Sequence, residues 1–304
     1  MRSPSPKPLP TGEGLIEAPM AITPKALQQA YLEACEAELQ AFKPGNVSIH
    51  SEGHQMTVDD FRRSAQASAH ALCDPALSLG EKIFHAVAAT RKAVGCNTNL
   101  GIILLAAPLL EACWKAAKGT GLQDNVRLAL NRTTQEDADW VYQAIRLASP
   151  GGLGESAQED VHSAPTVTLL NAMKIAEKRD RIAWQYTNYY TNVFDFAIPS
   201  YHSGISLWGD EQWATVGVFA GLLKTFPDSH IERKFGTRFT RMVADQMTLV
   251  EQALTVSGKS EQTMRILRRV DAEFKSSGIN PGTTADLTVA CLLAVRLDRL
   301  LKAG

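Results

Sequence analysis

The chain has 304 residues, 45% hydrophobic and 21% charged, with 31 basic against 32 acidic side chains for a formal charge of −1. That length suffices for one large domain with a substantial core or for two ordinary ones. The near-zero charge excludes a global field favouring nucleic acid or an anionic membrane, so any anion recognition must be local. Five cysteines (Cys35, Cys73, Cys96, Cys113, Cys291) stand singly with no CxxC pair, which predicts reduced thiols in a cytoplasmic protein.

In chain order, "MRSPSPKPLPTGEG" places proline at 4, 6, 8 and 10 and lacks the apolar core of a signal peptide. Residues 1–22 are therefore expected to be a disordered tail. From 23 to 304, apolar residues recur at helical spacing and alternating β-branched runs are nearly absent. The expectation is all-α: a single-domain bundle of about ten helices. "TPKALQQAYLEACEAELQAF" starts one, with Thr23 as cap and Pro24 at the first helical position, and it stops at "KPG". A second begins at Thr57, with Asp60 three residues on in a capping-box arrangement, and runs to Leu72. Further helices are expected over 79–94, 99–117, 134–148, 165–194, 210–225, 235–256, 260–276 and 284–302. "LGIILLAAPLLEACW" is interrupted by Pro108 and Glu111, short of the roughly 20 residues a bilayer demands, and reads as a buried helix rather than a membrane span.

Four connections are rich in Gly, Asn, Ser or Thr beside an acid or His, and loops on a helical scaffold are where binding residues concentrate. In "KPGNVSIHSEGH", Gly45 and Asn46 tolerate positive φ, and their amides could form an anion concavity neutralised by Lys43. The competing reading is a helix stop at Pro44 with a solvated lysine. His50 and His54 lie four apart with Asp59 close behind, but Gly53 and the missing HExxH pattern disfavour zinc and leave hydrogen bonding to a ligand. "GCNTNLG" sets Asn97, Thr98 and Asn99 between Gly95 and Gly101 at the start of an apolar helix, where free amides attract phosphate or carboxylate. "GGLGESAQEDVHSAP" clusters Glu155, Glu159, Asp160 and His162, a set that suits Mg²⁺ and equally a solvated helix start. Arg179, Asp180 and Arg181 are too mixed in sign for a nucleic-acid patch and read as internal salt bridges. Finally, "INPGTTADLTV" repeats the design of the first loop, with Asn280, Gly282 and Asp286.

The motifs "KPGNV", "GH" with "DDF", "GCNTNLGIIL" and "NPGTTADL", in this order over residues 27–300, resemble the triphosphoribosyl-dephospho-coenzyme A synthase family; "DSHIERKFG", with Asp228 and Arg233, is a weaker match. The resemblance implies a helical transferase that moves the triphosphoribosyl group of ATP to dephospho-coenzyme A with loss of adenine. Such chemistry passes through a cationic sugar, needing carboxylates near the anomeric carbon and groups for a triphosphate, with Mg²⁺ as the inferred cofactor. On that basis Asp59, Asp160, Asp286 and Glu155 are the catalytic candidates, with Asp160 and Asp286 also candidates for metal. Lys43, Gly45, Asn46, His50, His54, Asn97, Thr98, Asn99, Gly101, Arg233, Asn280 and Gly282 are the candidates for nucleotide and phosphate. The implied partners are a nucleotide and a phosphorylated acceptor, and self-association stays open.

Two departures stand out. Asn99 and Leu100 occupy positions where the family usually has His and Lys, and the Arg-Gly-Glu-Ala stretch is reduced to "LGES". "SPGGLG", "EDVHSAPTVTLL" and "RDRIAWQY" resemble a divergent branch linked to tetrahydromethanopterin or methanofuran synthesis. The rival functions are a Mg²⁺-dependent hydrolase or transferase acting on a phosphorylated intermediate of that synthesis, and a binding protein without turnover.

Overall fold

The computed structural model describes residues 22–53, 55–115, 119–149 and 160–303. The expected tail, His54 and Glu155 lie outside the described residues, apart from Ile22 at the tail's end. The elements are α1 (Pro24–Gln40), α2 (Val58–Leu72), α3 (Leu79–Val94), α4 (Leu100–Trp114), α5 (Leu122–Asn131), α6 (Gln135–Ala148), α7 (Leu169–Ala176) and α8 (Arg181–Thr187). A π-helical turn (Asn192–Ala197) leads into α9 (Ile198–Trp208), followed by α10 (Glu211–Thr225), α11 (Ser229–Phe235), a 3₁₀ turn (Gly236–Phe239), α12 (Thr240–Ser257), α13 (Glu261–Ser276) and α14 (Gly282–Ala303). The described residues contain no strand, only isolated bridges in the loop after α1. No helix among them is long and apolar enough to cross a membrane.

Local chemistry sets the helix starts. Thr57 with Asp60, Ser78 with Glu81 and Thr134 with Asp137 form reciprocal capping boxes, and Thr23 accepts the Ala26 amide. The all-α expectation holds, but the helices outnumber the ten expected, since α5, α9 and α11 were not anticipated. The helix expected over 165–194 is broken twice. Asp180 caps a new start, its Oδ1 accepting the amides of Ile182 and Ala183, and Tyr189 and Tyr190 then take positive φ of 50° and 61°.

α4 and α14 form the axis. Both are buried nearly all round, the condition of a helix enclosed by others. Pro108 inside α4 lacks an amide and leaves the carbonyl of Leu104 unmatched within the helix. Tyr186 Oη donates to that carbonyl at 2.6 Å, and Tyr190 Oη donates to the carbonyl of Leu105 at 3.0 Å. The end of α8 and the left-handed turn after it thus bring two buried phenols to carbonyls beside Pro108, 82 and 85 residues earlier. A second apolar cluster, with Phe219, Met247, Leu267 and Phe274, joins α10, α12 and α13.

Candidate active site

A cavity of about 290 Å³ opens where the loop after α1 meets the N-termini of α4, α8, α11 and α14. The loop is clasped from outside by α13. Asp271 accepts the Gly45 amide at 2.8 Å and the Ser51 hydroxyl at 2.6 Å, and Lys275 lies 3.2 Å from the same carboxylate. Gly45 has a φ of +82°, and a Cβ there would meet Phe274 and Pro281 at 3.0 Å, so the close approach needs glycine. So held, the loop points Asn46 into the cavity, where its Nδ2 donates to Asn280 Oδ1 at 2.8 Å.

Lys43 does not reach the cavity. It is fully buried, its Nζ donating to the carbonyls of Glu38 and Val47 at 2.9 and 2.7 Å and lying 3.1 Å from the Glu38 carboxylate. The ammonium is an internal strut for the loop, since a buried charge must be paired and hydrogen-bonded. Neither the expected phosphate contact nor the solvated lysine describes it. Burial pushes the Glu38 carboxyl up, with Lys43 opposing, and Glu38 borders the cavity.

From "GCNTNLG", Asn97, Thr98 and Gly101 line the cavity and Asn99 does not. Asn97 Oδ1 accepts the Leu100 amide at 3.1 Å, and Thr98 shares a 2.5 Å hydroxyl contact with Ser64. Asn99 turns inward, donating to Ser68 at 3.4 Å beside a small void walled by Tyr31.

Asp286, in the first turns of α14, is partly exposed to the cavity and makes no hydrogen bond or ion pair with a described residue. Its carboxyl lies against Gly101 so closely that a Cβ there would be 1.9 Å from Oδ2. Burial holds its pKa well above the usual carboxylate range, with Asp228, Glu38 and Asp180 adding to the rise and Arg233 opposing it. Asp228 is buried and joins two helix starts: it accepts the amides of His230 and Ile231 in α11 and both the amide and hydroxyl of Thr284 in α14. Arg233, from α11, pairs with Asp180 at 2.7 Å across the cavity wall.

Asp160, Asn280 and Gly282 also line the cavity, as expected candidates, and Asp160 Oδ1 accepts the His162 amide at 2.8 Å. Besides Lys43 and Asn99, three more candidates lie elsewhere. Gly45 acts through Asp271; Asp59 is exposed on the first turn of α2; His50 is exposed, stacked on Phe42 at 5.3 Å and 3.1 Å from the Gln40 carbonyl. Among the described residues no three His, Cys, Asp or Glu side chains converge as a metal site.

Sequence reasoning passed over Glu38, His230 and Asp180 as wall residues, and the apolar wall from α6, α7 and α8 entirely. Asp180 had a signal: an acid immediately before an apolar helical run is an N-cap.

An enclosed cleft with polar loops and helix starts on one side and an apolar wall on the other is the arrangement of a helical enzyme acting on a small molecule with both polar and apolar parts. Residues 24–304 match the CitG family, described as ATP:dephospho-CoA triphosphoribosyl transferase, and the chain belongs to that family. It is therefore a triphosphoribosyl-dephospho-CoA synthase-like transferase. A crystal structure from Archaeoglobus fulgidus, titled as a candidate triphosphoribosyl-dephospho-coA synthase, shares the fold with a TM-score of 0.58 and 23% identity, over 76% of this chain and 96% of that one. No curated protein matches the chain.

Proposed function

We propose that the cleft transfers the triphosphoribosyl group of ATP to a hydroxyl of dephospho-coenzyme A, with Asp286 supplying the proton that the departing adenine requires. The observation that carries this reading is Asp286 itself: a carboxyl in the cavity wall, without a hydrogen-bond or ion-pair partner among the described residues, its pKa raised by burial and by three neighbouring acids. A carboxylic acid kept neutral at working pH can donate a proton to a leaving group.

The C1′–N9 bond breaks, its electron pair goes to the base, and the Asp286 proton goes to a base nitrogen. The acceptor oxygen bonds to C1′ and its proton leaves to water. Glu38 and Asp180 put negative charge on the wall beside the developing sugar cation, while Asn46, Asn280 and Thr98 offer hydrogen bonds to ribose hydroxyls or phosphate. Arg233, paired with Asp180, lines the cavity beside this acidic group, and Mg²⁺ would enter bound to the triphosphate.

The test is adenine release from ATP, followed with and without dephospho-coenzyme A. Release that depends on the acceptor supports the reading; no release in either condition overturns it. Equal turnover with water in place of the acceptor would indicate the hydrolase instead.

A further inference from the structure

The wall of the cavity facing the polar loops is built by α6, α7 and α8. Val141, Tyr142 and Ile145 come from α6, Leu169 and Met173 from α7, and Ile182 from α8. Val141 and Leu169 are wholly buried, and Met173 and Ile182 are each 8% exposed. These six side chains bring one polar atom, the Tyr142 hydroxyl, and no charge or amide; the charged groups nearby in the chain, Arg179 and Asp180, line the cavity from the turn between α7 and α8. The backbone of helix interiors is committed to its own hydrogen bonds and offers no donor or acceptor sideways. The wall ends beside Asp286: a Cβ on Gly101 would meet Asp286 Oδ2 at 1.9 Å and Ile182 Cδ1 at 2.9 Å, so both touch the same glycine.

We infer that this wall is the subsite for the heterocyclic base of the donor nucleotide, holding a purine by its faces and reading its size rather than its edge substituents. The inference rests on the transferase reading and specifies which donors it admits. Contact with Ile182 sets the base where Asp286 can reach its ring nitrogens, which a polar acceptor lying on this wall would not use. Selectivity follows from the chemistry of the wall. A site that hydrogen-bonds a substituent rejects an analogue lacking it by about 10⁴-fold or more, whereas an apolar surface discriminates by only about 10- to 200-fold. ATP, GTP and ITP should therefore be used with kcat/KM values within about tenfold of one another, and CTP, with less face to bury, should fall below them by more than that.

Two measurements test this. Base release is followed for the four nucleotides with dephospho-coenzyme A as acceptor. A preference for ATP over GTP beyond about a thousandfold overturns the inference, because only edge recognition yields it. Independently of turnover, adenosine, guanosine and inorganic triphosphate are titrated calorimetrically against the wild type and Ile145→Asn, a substitution at a half-buried wall position. The expected result is similar Kd values for the two nucleosides, both weakened at least tenfold by I145N, with inorganic triphosphate unaffected and the variant's melting temperature close to wild type. Nucleoside binding that is absent, or indifferent to I145N, overturns the subsite even if the protein proves to be the transferase. If no nucleotide releases its base while nucleosides bind as expected, the transferase reading fails and, with it, the assignment of this wall to a donor.

Discussion

Two lysine–glutamate pairs are buried among the described residues, and they are in different situations. Lys82 and Glu111 join α3 to α4 inside the bundle, and the exposed Lys115 lies 2.5 Å from the second Glu111 oxygen. Two cations and their hydrogen bonds outweigh burial there and hold the Glu111 carboxyl below its usual range. Lys43 and Glu38 stand alone at the edge of the cavity, and burial wins: the carboxyl rises and the ammonium falls. The first arrangement is a settled structural tie. The second keeps an acid of raised pKa near Asp286, where its charge adds to the rise of the Asp286 pKa.

Removing each lysine sharpens the difference most. Lys43→Met leaves Glu38 without its cation and frees the carbonyls of Glu38 and Val47, so a loss of about 3–5 kcal/mol is expected in urea unfolding. Lys82→Met leaves Lys115 on Glu111, and its loss should be visibly smaller. Equal losses would erase the distinction. Next, Asp286→Asn keeps the shape of the side chain and removes the proton; adenine release should fall by about 10²-fold or more with little change in KM for ATP.

The same variant should be more stable than the wild type at neutral pH. A carboxyl whose pKa is raised by folding contributes stability below the ordinary carboxylate range and loses it as pH rises toward the folded value. The gain in melting temperature of D286N over wild type should therefore be near zero below pH 4 and grow toward pH 7. A gain that is flat across this range would show that Asp286 ionises normally. The smallest effect is expected from Asp271→Asn, outside the cavity. It weakens the clasp on the loop and should raise KM a few-fold while leaving kcat nearly unchanged.

Much of the fold was legible because caps are local. Thr57, Ser78 and Thr134 each announce a helix with an acid three residues later, and each delivers one. The break after α8 was not, because Tyr189 and Tyr190 adopt positive φ while the Tyr190 hydroxyl is held on the Leu105 carbonyl, far away in the chain. In the site, Asn46, Asn97, Thr98, Gly101, Asn280, Gly282 and Asp286 do converge on one cavity, as their shared loop chemistry suggested. Lys43 does not, because its partner sits one turn back on α1, and a lysine after a helix gives no sign of which way it folds. The apolar wall was invisible because a surface that waits for a ligand has the same helical periodicity as one packed against a neighbour.

The phenols that serve Pro108 also make the protein its own optical gauge. Burial pushes the Tyr186 and Tyr190 hydroxyls far above the ordinary tyrosine range, and in the folded state each is engaged with a carbonyl of α4. In alkali, exposed tyrosines turn to phenolate gradually, whereas these two can ionise only when α4 and the turn after α8 separate. The last phenolate absorbance to develop, from these two and from Tyr31 buried against Ser68, should thus rise as a single steep step, reporting the moment the core of the bundle opens.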